Sequence, residues 1–359
     1  MRARRVARAL PRILAGGALS LLTSCVAVME REPDWAGSTL SWQPLETGSD
    51  ASLRGVSAPG DGVVWASGSG GTVLRSLDGG STWERRGFDD ETADLRDIEA
   101  LDAQRAFAIT ITEPARVVAT EDGGETWRTL YTSPDPRSFY DSIALVGDGA
   151  VVFGDPREGV FEVLRSADGE RFEHVSAEHL PEAFEGEAAF AASGTCVVSH
   201  GTGRLWIGTG GKRARVLRST DAGRTWEAAE TPMRQGAETT GIYSVAFGSA
   251  RDGMLVGGDY TRPEAAEANA AYSRDGGVTW SAPEVGPSGY RSAVAFHPWS
   301  TDVLVAVGRA GADVSLDGGR TWRTFGSQGY YAFTFAPEGQ GYAVGADGRV
   351  ALLRVTRRR

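Results

Sequence analysis

Along most of this chain, apolar and polar residues alternate in runs of four to seven, and no stretch keeps apolar residues on the 3.6-residue spacing of an amphipathic helix. That pattern predicts short β-strands. The order of strands repeats. In one unit, "AVAFHP" (293–298) reads as an inner strand, "TDVLVAVGR" (301–309) as a second, "ADVSLD" (312–317) as a third and "RTWRTF" (320–325) as an outer strand. Other units start at "GVSAPG", "DIEALD", "SIALVG", "AFAASG" and "SVAFGS".

Between third and fourth strands one motif returns: "SLDGGSTW" (76–83), "TEDGGETW" (120–127), "STDAGRTW" (219–226), "SRDGGVTW" (273–280) and "SLDGGRTW" (315–322), with "SADGERF" (166–172) as a degenerate copy. Its aspartates, Asp78, Asp122, Asp168, Asp221, Asp275 and Asp317, are 44, 46, 53, 54 and 42 residues apart. Four strands per period of this length indicate a β-propeller with one blade per repeat. A last unit, "YAFTFAPEGQGYAVGADGRVALLRV", has three strands and no motif. "TLSWQPLE" (39–46) can supply its outer strand, closing the ring and leaving no free sheet edge. The predicted fold is all-β: a seven-bladed propeller of four-stranded blades over 39–355, with six or eight blades as alternatives.

The motif explains itself as a turn. Asp accepts backbone hydrogen bonds, Gly supplies a positive φ, Ser and Thr hydroxyls secure the strand ends, and Trp packs between sheets. No catalytic acid needs that shape repeated around a ring.

The first residues read differently. "MRARRVARALPR" holds five arginines and no acid, a short apolar run follows, and "LTSC" ends at Cys25. This is the pattern of a secretory signal over 1–24, and "LTSC" resembles the lipobox of bacterial lipoproteins, which implies lipidation at Cys25, a lipid-anchored linker over 25–38 and an exported protein. Residues 356–359 read as a basic tail. The whole chain carries a net charge of −10, and about −15 without the leader arginines. A chain so acidic is no general partner for nucleic acid, because phosphate binding needs a positive surface. Cys196 remains as a lone thiol, read as a small core residue. The four histidines show no metal spacing, and "GTGGKR" lacks the features of a phosphate loop, so no metal or cofactor is expected.

If the motif turns lie on one face of the disc, ligands are expected on the other, around the central channel, where inner strands begin and second strands turn into third. That face offers Arg54, Arg96 with Asp97, Tyr140 with Asp141, Glu187, Tyr243, Arg291, Tyr330 with Tyr331, Asp155, Lys212, Arg213, Arg215, Asp259 to Arg262, and Arg309. Blades 3 to 5 have the long periods and supply the acids in "FYDS", "GEAAF" and "GGDY". Two carboxylates can work as acid and base on a glycosidic bond, and Arg can grip an acidic group in bidentate fashion. Asp141, Glu187 and Asp259 are therefore the candidate catalytic acids. Tyr140, Asp155, Arg215, Tyr260 and Arg291 are the candidate binding residues. The same set could instead be ion pairs across a water-filled channel.

The motif S-x-D-x-G-x-T-W resembles the Asp-box, or BNR repeat, of sialidases and sortilin-type receptors. The whole of 39–355, with "VLRSLDGGSTWERRG" and "GQGYAVGADGRVALL", resembles the photosystem II stability and assembly factor family and its bacterial relatives. That resemblance implies a noncatalytic, extracytoplasmic scaffold for a membrane or envelope complex, acting as a monomer. The rival expectation is a sialidase-like or other propeller glycosidase acting on an acidic carbohydrate, although no Arg-Ile-Pro segment precedes the first Asp-box. A sortilin-like peptide cage is a third.

Overall fold

The computed structural model describes residues 35–357, with 89 and 91 left out. Seven antiparallel sheets follow one another along the chain. Their inner strands are Leu53–Gly60, Leu95–Ala100, Tyr140–Val146, Val197–His200, Thr240–Phe247, Ala293–Phe296 and Ala332–Phe335. Among the described residues the only helical element is the single 3-10 turn Ala177–His179. The all-β seven-bladed propeller read from the repeats is the fold.

Closure is made by the strand Ser38–Leu45, which pairs along its whole length with Val350–Arg357, the third strand of blade 7. Trp42 fastens it, its ring 4.9 Å from Tyr330, 5.5 Å from Phe325 and 5.9 Å from Phe333. The third strand runs through Thr356 and Arg357, so half of the segment expected as a tail is paired backbone.

The core lies between the blades. Val63, Trp65 and Val73 of blade 1 pack on Leu95, Ile98 and Ala106 of blade 2, and comparable clusters fill the later gaps. Hydrogen bonds then tie each blade to the next near the channel. The Ala100 amide donates to Ser57 (3.0 Å), the Ile143 amide to Asp97 (2.8 Å), the Ser142 hydroxyl to the Gly194 carbonyl (2.7 Å) and the Thr195 hydroxyl to Ser244 (2.7 Å). The ring is completed by the Val294 amide to Ser244 (3.0 Å), the Ser292 hydroxyl to the Tyr331 carbonyl (2.7 Å) and the Leu53 amide to the Gly345 carbonyl (3.0 Å).

Each Asp-box is a closed hydrogen-bond unit. Asp78 accepts from the Thr82 amide (2.8 Å), the Thr82 hydroxyl (2.7 Å) and the Ser76 hydroxyl (2.8 Å), while Ser76 accepts from the Gly80 amide (2.8 Å). Asp122, Asp221, Asp275 and Asp317 repeat the pattern. In the degenerate copy, which lacks the Thr, Asp168 keeps the amides of Glu170 (2.9 Å) and Arg171 (3.0 Å). The Thr82 hydroxyl, then its amide, hold Asp78 down at a pKa of about 2. Outside the degenerate copy, the residue after the Asp also donates its amide to the first-to-second turn of its own blade: Gly79 to Gly62 (2.8 Å), Gly123 to Gln104 (2.8 Å), Ala222 to Gly203 (2.8 Å), Gly276 to Arg251 (2.9 Å) and Gly318 to Asp302 (2.9 Å). Asp-boxes and first-to-second turns therefore share one face.

One sequence expectation is corrected. "AFAASG" does not begin the inner strand of blade 4: that strand is Val197–His200, and residues 189–196 turn instead. Gly194, at φ +70°, fits so tightly against Asp97 that a Cβ there would lie 2.1 Å from its carboxylate, which leaves no room for a strand side chain. The preceding Glu187–Ala188 pairs with Gly210–Gly211, which joins the inner strand of blade 5 through Gly241 and makes that sheet five-stranded.

A repeat-to-repeat difference supplies a test. At the position that is Gly79, Gly123, Gly276 and Gly318 elsewhere, blade 4 has Ala222, held at φ +59°. The left-handed conformation costs an L-residue about 1–2 kcal/mol, of which glycine's extra unfolded-state entropy cancels part. Ala222→Gly should raise stability by about 0.5–1 kcal/mol, read as a higher urea midpoint at unchanged slope. A lower midpoint would contradict the reading.

Candidate functional site

The face opposite the Asp-boxes is shaped by a recurring irregularity. In blades 1, 2, 3 and 5, one residue near the start of the inner strand drops out of register with the second strand: Arg54, Arg96, Asp141 and Tyr243. A β-bulge of this kind turns its extra side chain out of the regular alternation. The sequence places Arg, Arg, Asp and Tyr at these equivalent points.

Arg54 and Arg96 belong together. The Arg54 guanidinium lies 4.0 Å over the Tyr331 ring, and burial, then the neighbouring Arg96 charge, lower its pKa. Arg96 pairs with Asp94 at 2.9 Å and reaches the Ala191 carbonyl at 3.5 Å. Among the described residues, Arg54 and Arg309 make no ion pair. Beside them is an aromatic group: Phe190 stacks on Tyr243 at 3.9 Å, Tyr290 meets Tyr243 edge-on at 4.8 Å, and Tyr260 stands 6.3 Å away. Tyr260, Glu264 and Arg309 line a cleft of about 420 Å³ there. Arg54, then Arg309, oppose the burial that raises the Tyr290 pKa, so these side chains share one electrostatic neighbourhood. The arrangement offers unneutralised guanidinium charge next to flat aromatic surfaces.

The carboxylates expected to do chemistry are placed otherwise. Glu187 is 2% exposed and fully engaged: Arg215 Nε at 3.0 Å and Nη2 at 2.7 Å, the Thr209 hydroxyl at 2.6 Å and the Phe184 amide at 3.1 Å. Removing one partner of a buried pair costs about 3–5 kcal/mol, so this bidentate pair fixes the loop before blade 4. Arg291, 0% exposed, is held by Asp313 at 2.6 Å and Ser288 at 2.8 Å. Against the effect of burial, the Thr261 hydroxyl and Arg262 keep Asp259 at a pKa of about 2, as the acceptor of a tight turn. Asp141 is sealed from solvent with no hydrogen bond of good geometry to either oxygen. Burial, then Asp155, raise its pKa well above the ordinary carboxylate value. Asp155 accepts the Ala189 amide at 3.0 Å, and burial raises its pKa too. Tyr140 points between blades 2 and 3, into the cluster of Ile109, Val117 and Leu164.

Asp141 and Asp155 are thus neighbours, Glu187 and Arg215 bind each other, and Asp259 and Arg291 stand in separate local networks. Tyr260 alone of the eight candidates lines a cleft described here. Among the described residues, no group of three or more His, Cys, Asp and Glu could hold a metal ion. Phe190 was missed, hidden in an apolar run that reads as strand. Tyr290 was missed because it precedes the strand start. Arg54, Arg96, Tyr243 and Tyr331 were in view as strand starts, and aligning the repeats on the small residue after each bulge would have singled them out.

Comparison with known proteins agrees with the propeller fold. The family model described as photosynthesis system II assembly factor YCF48 matches residues 35–137, and the BNR/Asp-box repeat matches 271–282. The chain is an Asp-box propeller that resembles YCF48. The solved structure "YCF48 bound to D1 peptide" superposes with a TM-score of 0.62 at 18% identity, covering 87% of this chain and 96% of that one. YCF48 from Cyanidioschyzon merolae gives 0.62 at 17%, covering 87% and 98%. A GH74 xyloglucanase from Xanthomonas campestris gives 0.61 at 19%, covering 87% of this chain but 53% of the enzyme. At these identities the likeness is one of fold. No curated protein matches the chain by sequence.

The buried acids make stability depend on pH. Burial raises Asp97 to about 7, burial and then Asp97 raise Glu99 well above its ordinary value, and Asp141 and Asp155 shift the same way. An acid with a raised folded pKa contributes stability that is complete below its unfolded pKa of about 4 and is lost as pH rises through the folded value. The Asp-box acids act oppositely and weaken the fold only as pH falls from about 4 towards 2. The melting temperature should be higher at pH 5 than at pH 8, and Asp97→Asn should shrink the difference. A wild-type protein more stable at pH 8 would refute the assignment.

Proposed function

We propose that this protein is an exported, lipid-anchored scaffold of YCF48-like build that holds an acidic, extended peptide segment of a membrane-complex subunit at the bulged face of its propeller. The observation that carries the reading is the pair Arg54 and Arg96, like charges brought together on adjacent bulges with Arg54 stacked on Tyr331, in a chain whose net charge is −10. Two guanidiniums held side by side, with one local acid between them, are stabilised by an incoming carboxylate. The aromatic group of Phe190, Tyr243, Tyr260 and Tyr290 supplies flat surface for the backbone and apolar side chains of such a segment. YCF48, similar in fold, has been solved bound to a D1 peptide, which is consistent with peptide capture by this kind of disc. Export and the anchor rest on the leader and on Cys25, which lie outside the described residues.

A glycosidase gains less support. Its acids would have to be Glu187, already saturated by Arg215, Asp259, held ionised in a turn, or Asp141, closed off from any sugar. An acidic carbohydrate would still find the arginines, so the probe must separate the two.

The test is a pull-down from detergent-solubilised membranes with the full-length protein, followed by anisotropy with a fluorescein-labelled Asp/Glu-rich peptide and its Asn/Gln counterpart. The wild type should recover an integral membrane protein and prefer the acidic peptide. Arg54→Ala combined with Arg96→Ala should weaken both at least tenfold, equivalent to about 1.4 kcal/mol. Equal recovery by wild type and variant would overturn the reading, and a sialylated oligosaccharide that displaces the peptide would favour the carbohydrate.

A further inference from the structure

The central channel has a second mouth, on the Asp-box face, and its chemistry is the reverse of the first. The ends of the inner strands and their turns line a cleft of about 450 Å³ with Phe247, Phe296, Phe335, Pro298 and Pro337. The titratable group in that lining is Glu99, whose carboxyl burial, then Asp97, push well above its ordinary pKa. At the rim stands Trp299, 49% exposed, its indole N–H donating to the Pro337 carbonyl at 2.9 Å and its ring edge-on to His297 at 5.3 Å. Leu77, Leu101 and Val278 project from other turns of this face with 50%, 42% and 48% of their surface exposed. A fixed, half-exposed Trp beside a hollow lined mainly by apolar side chains is the arrangement that settles at a membrane–water interface.

The course of the chain says what this face meets. The closing strand runs from Ser38 at the Asp-box face to Leu45 at the bulged face, because it pairs antiparallel with a strand whose end, Arg357, lies opposite Ser38. Just before it, Trp35 packs edge-on against His297 at 5.2 Å and Phe335 at 6.4 Å, so the described chain starts beside the apolar mouth. Cys25 precedes Trp35 by ten residues, a tether of at most about 35 Å when fully extended.

We propose that the Asp-box face is the side turned to the bilayer, with Trp299 and the apolar mouth seated at the level of the lipid headgroups and the bulged face turned outward to its partner. This rests on the lipid-anchor reading. The Asp-box aspartates stay ionised, Asp78 and Asp122 at about 2, and the exposed Arg105, Arg224, Arg251 and Arg320 stand on turns of the same face, so it carries both signs and the lipid it meets is zwitterionic.

The experiment uses the full lipidated protein reconstituted in phosphatidylcholine vesicles with brominated acyl chains, reading tryptophan fluorescence, while mass spectrometry of the Cys25 peptide reports the anchor. Brominated lipid should quench the wild type, and Trp299→Phe should remove at least half of that quenching while leaving vesicle binding unchanged. Quenching equal in wild type and Trp299→Phe, with Cys25 acylated, overturns the inference and leaves the anchor reading intact. An unmodified Cys25 overturns both. Protection of Trp299 by a soluble apolar peptide without lipid quenching would assign the mouth to a protein segment and overturn the membrane contact.

Discussion

The structure depends on one local device, the carboxylate of the Asp-box bound to a Thr hydroxyl, one or two amides and a Ser or Thr hydroxyl within seven residues. It asks nothing of the rest of the chain, so it survives wherever the local sequence is kept. Its link to the first-to-second turn of the same blade fixes the order of the inner three strands and gathers these turns on one face. With that face fixed, the other can vary. Bulges, long loops and the detour before blade 4 all lie on the side the Asp-boxes do not occupy.

Two consequences meet at the channel. The blade-to-blade hydrogen bonds use residues of the inner strands, Ser57, Asp97, Ser142 and Ser244, or just before them, Thr195 and Ser292, so the ring is held near its axis as well as by the apolar layers between sheets. Arg54, Arg96, Asp141 and Tyr243 are displaced at the point where this ring begins. A rigid ring carrying out-of-register side chains is a scaffold that can hold like charges together without collapse, which is the condition for an anion site.

How much of this was legible in the sequence follows from how local each feature is. Blade number, strand order and closure by 39–46 could be read because each repeat states its own turn and alternation. Blade 4 could not, because Gly194 and Phe190 are set by contacts with Asp97 and Tyr243 of other blades. The carboxylates could be placed on the right face but not given their state. Whether Glu187 is free depends on Arg215, 28 positions on, and whether Arg291 is free depends on Asp313, 22 positions on. Composition and motif spacing carry no signal for such pairings. The bulged arginines were visible as strand starts, yet their importance lies in the charge they bring together, Arg54 with no ion pair among the described residues beside Arg96 with one, and that is a property of the folded neighbourhood.

Under the proposed function, the disc has an outward face that takes a partner through Arg54, Arg96 and Tyr331 and an Asp-box face that does not. Site-specific photocrosslinking in cells tests this most directly, with benzoylphenylalanine placed at Tyr331 in one variant and at the exposed Val278 of an Asp-box in another. The account predicts covalent capture of a membrane-protein partner from position 331 and none from position 278. Capture from 278 with none from 331 would contradict it.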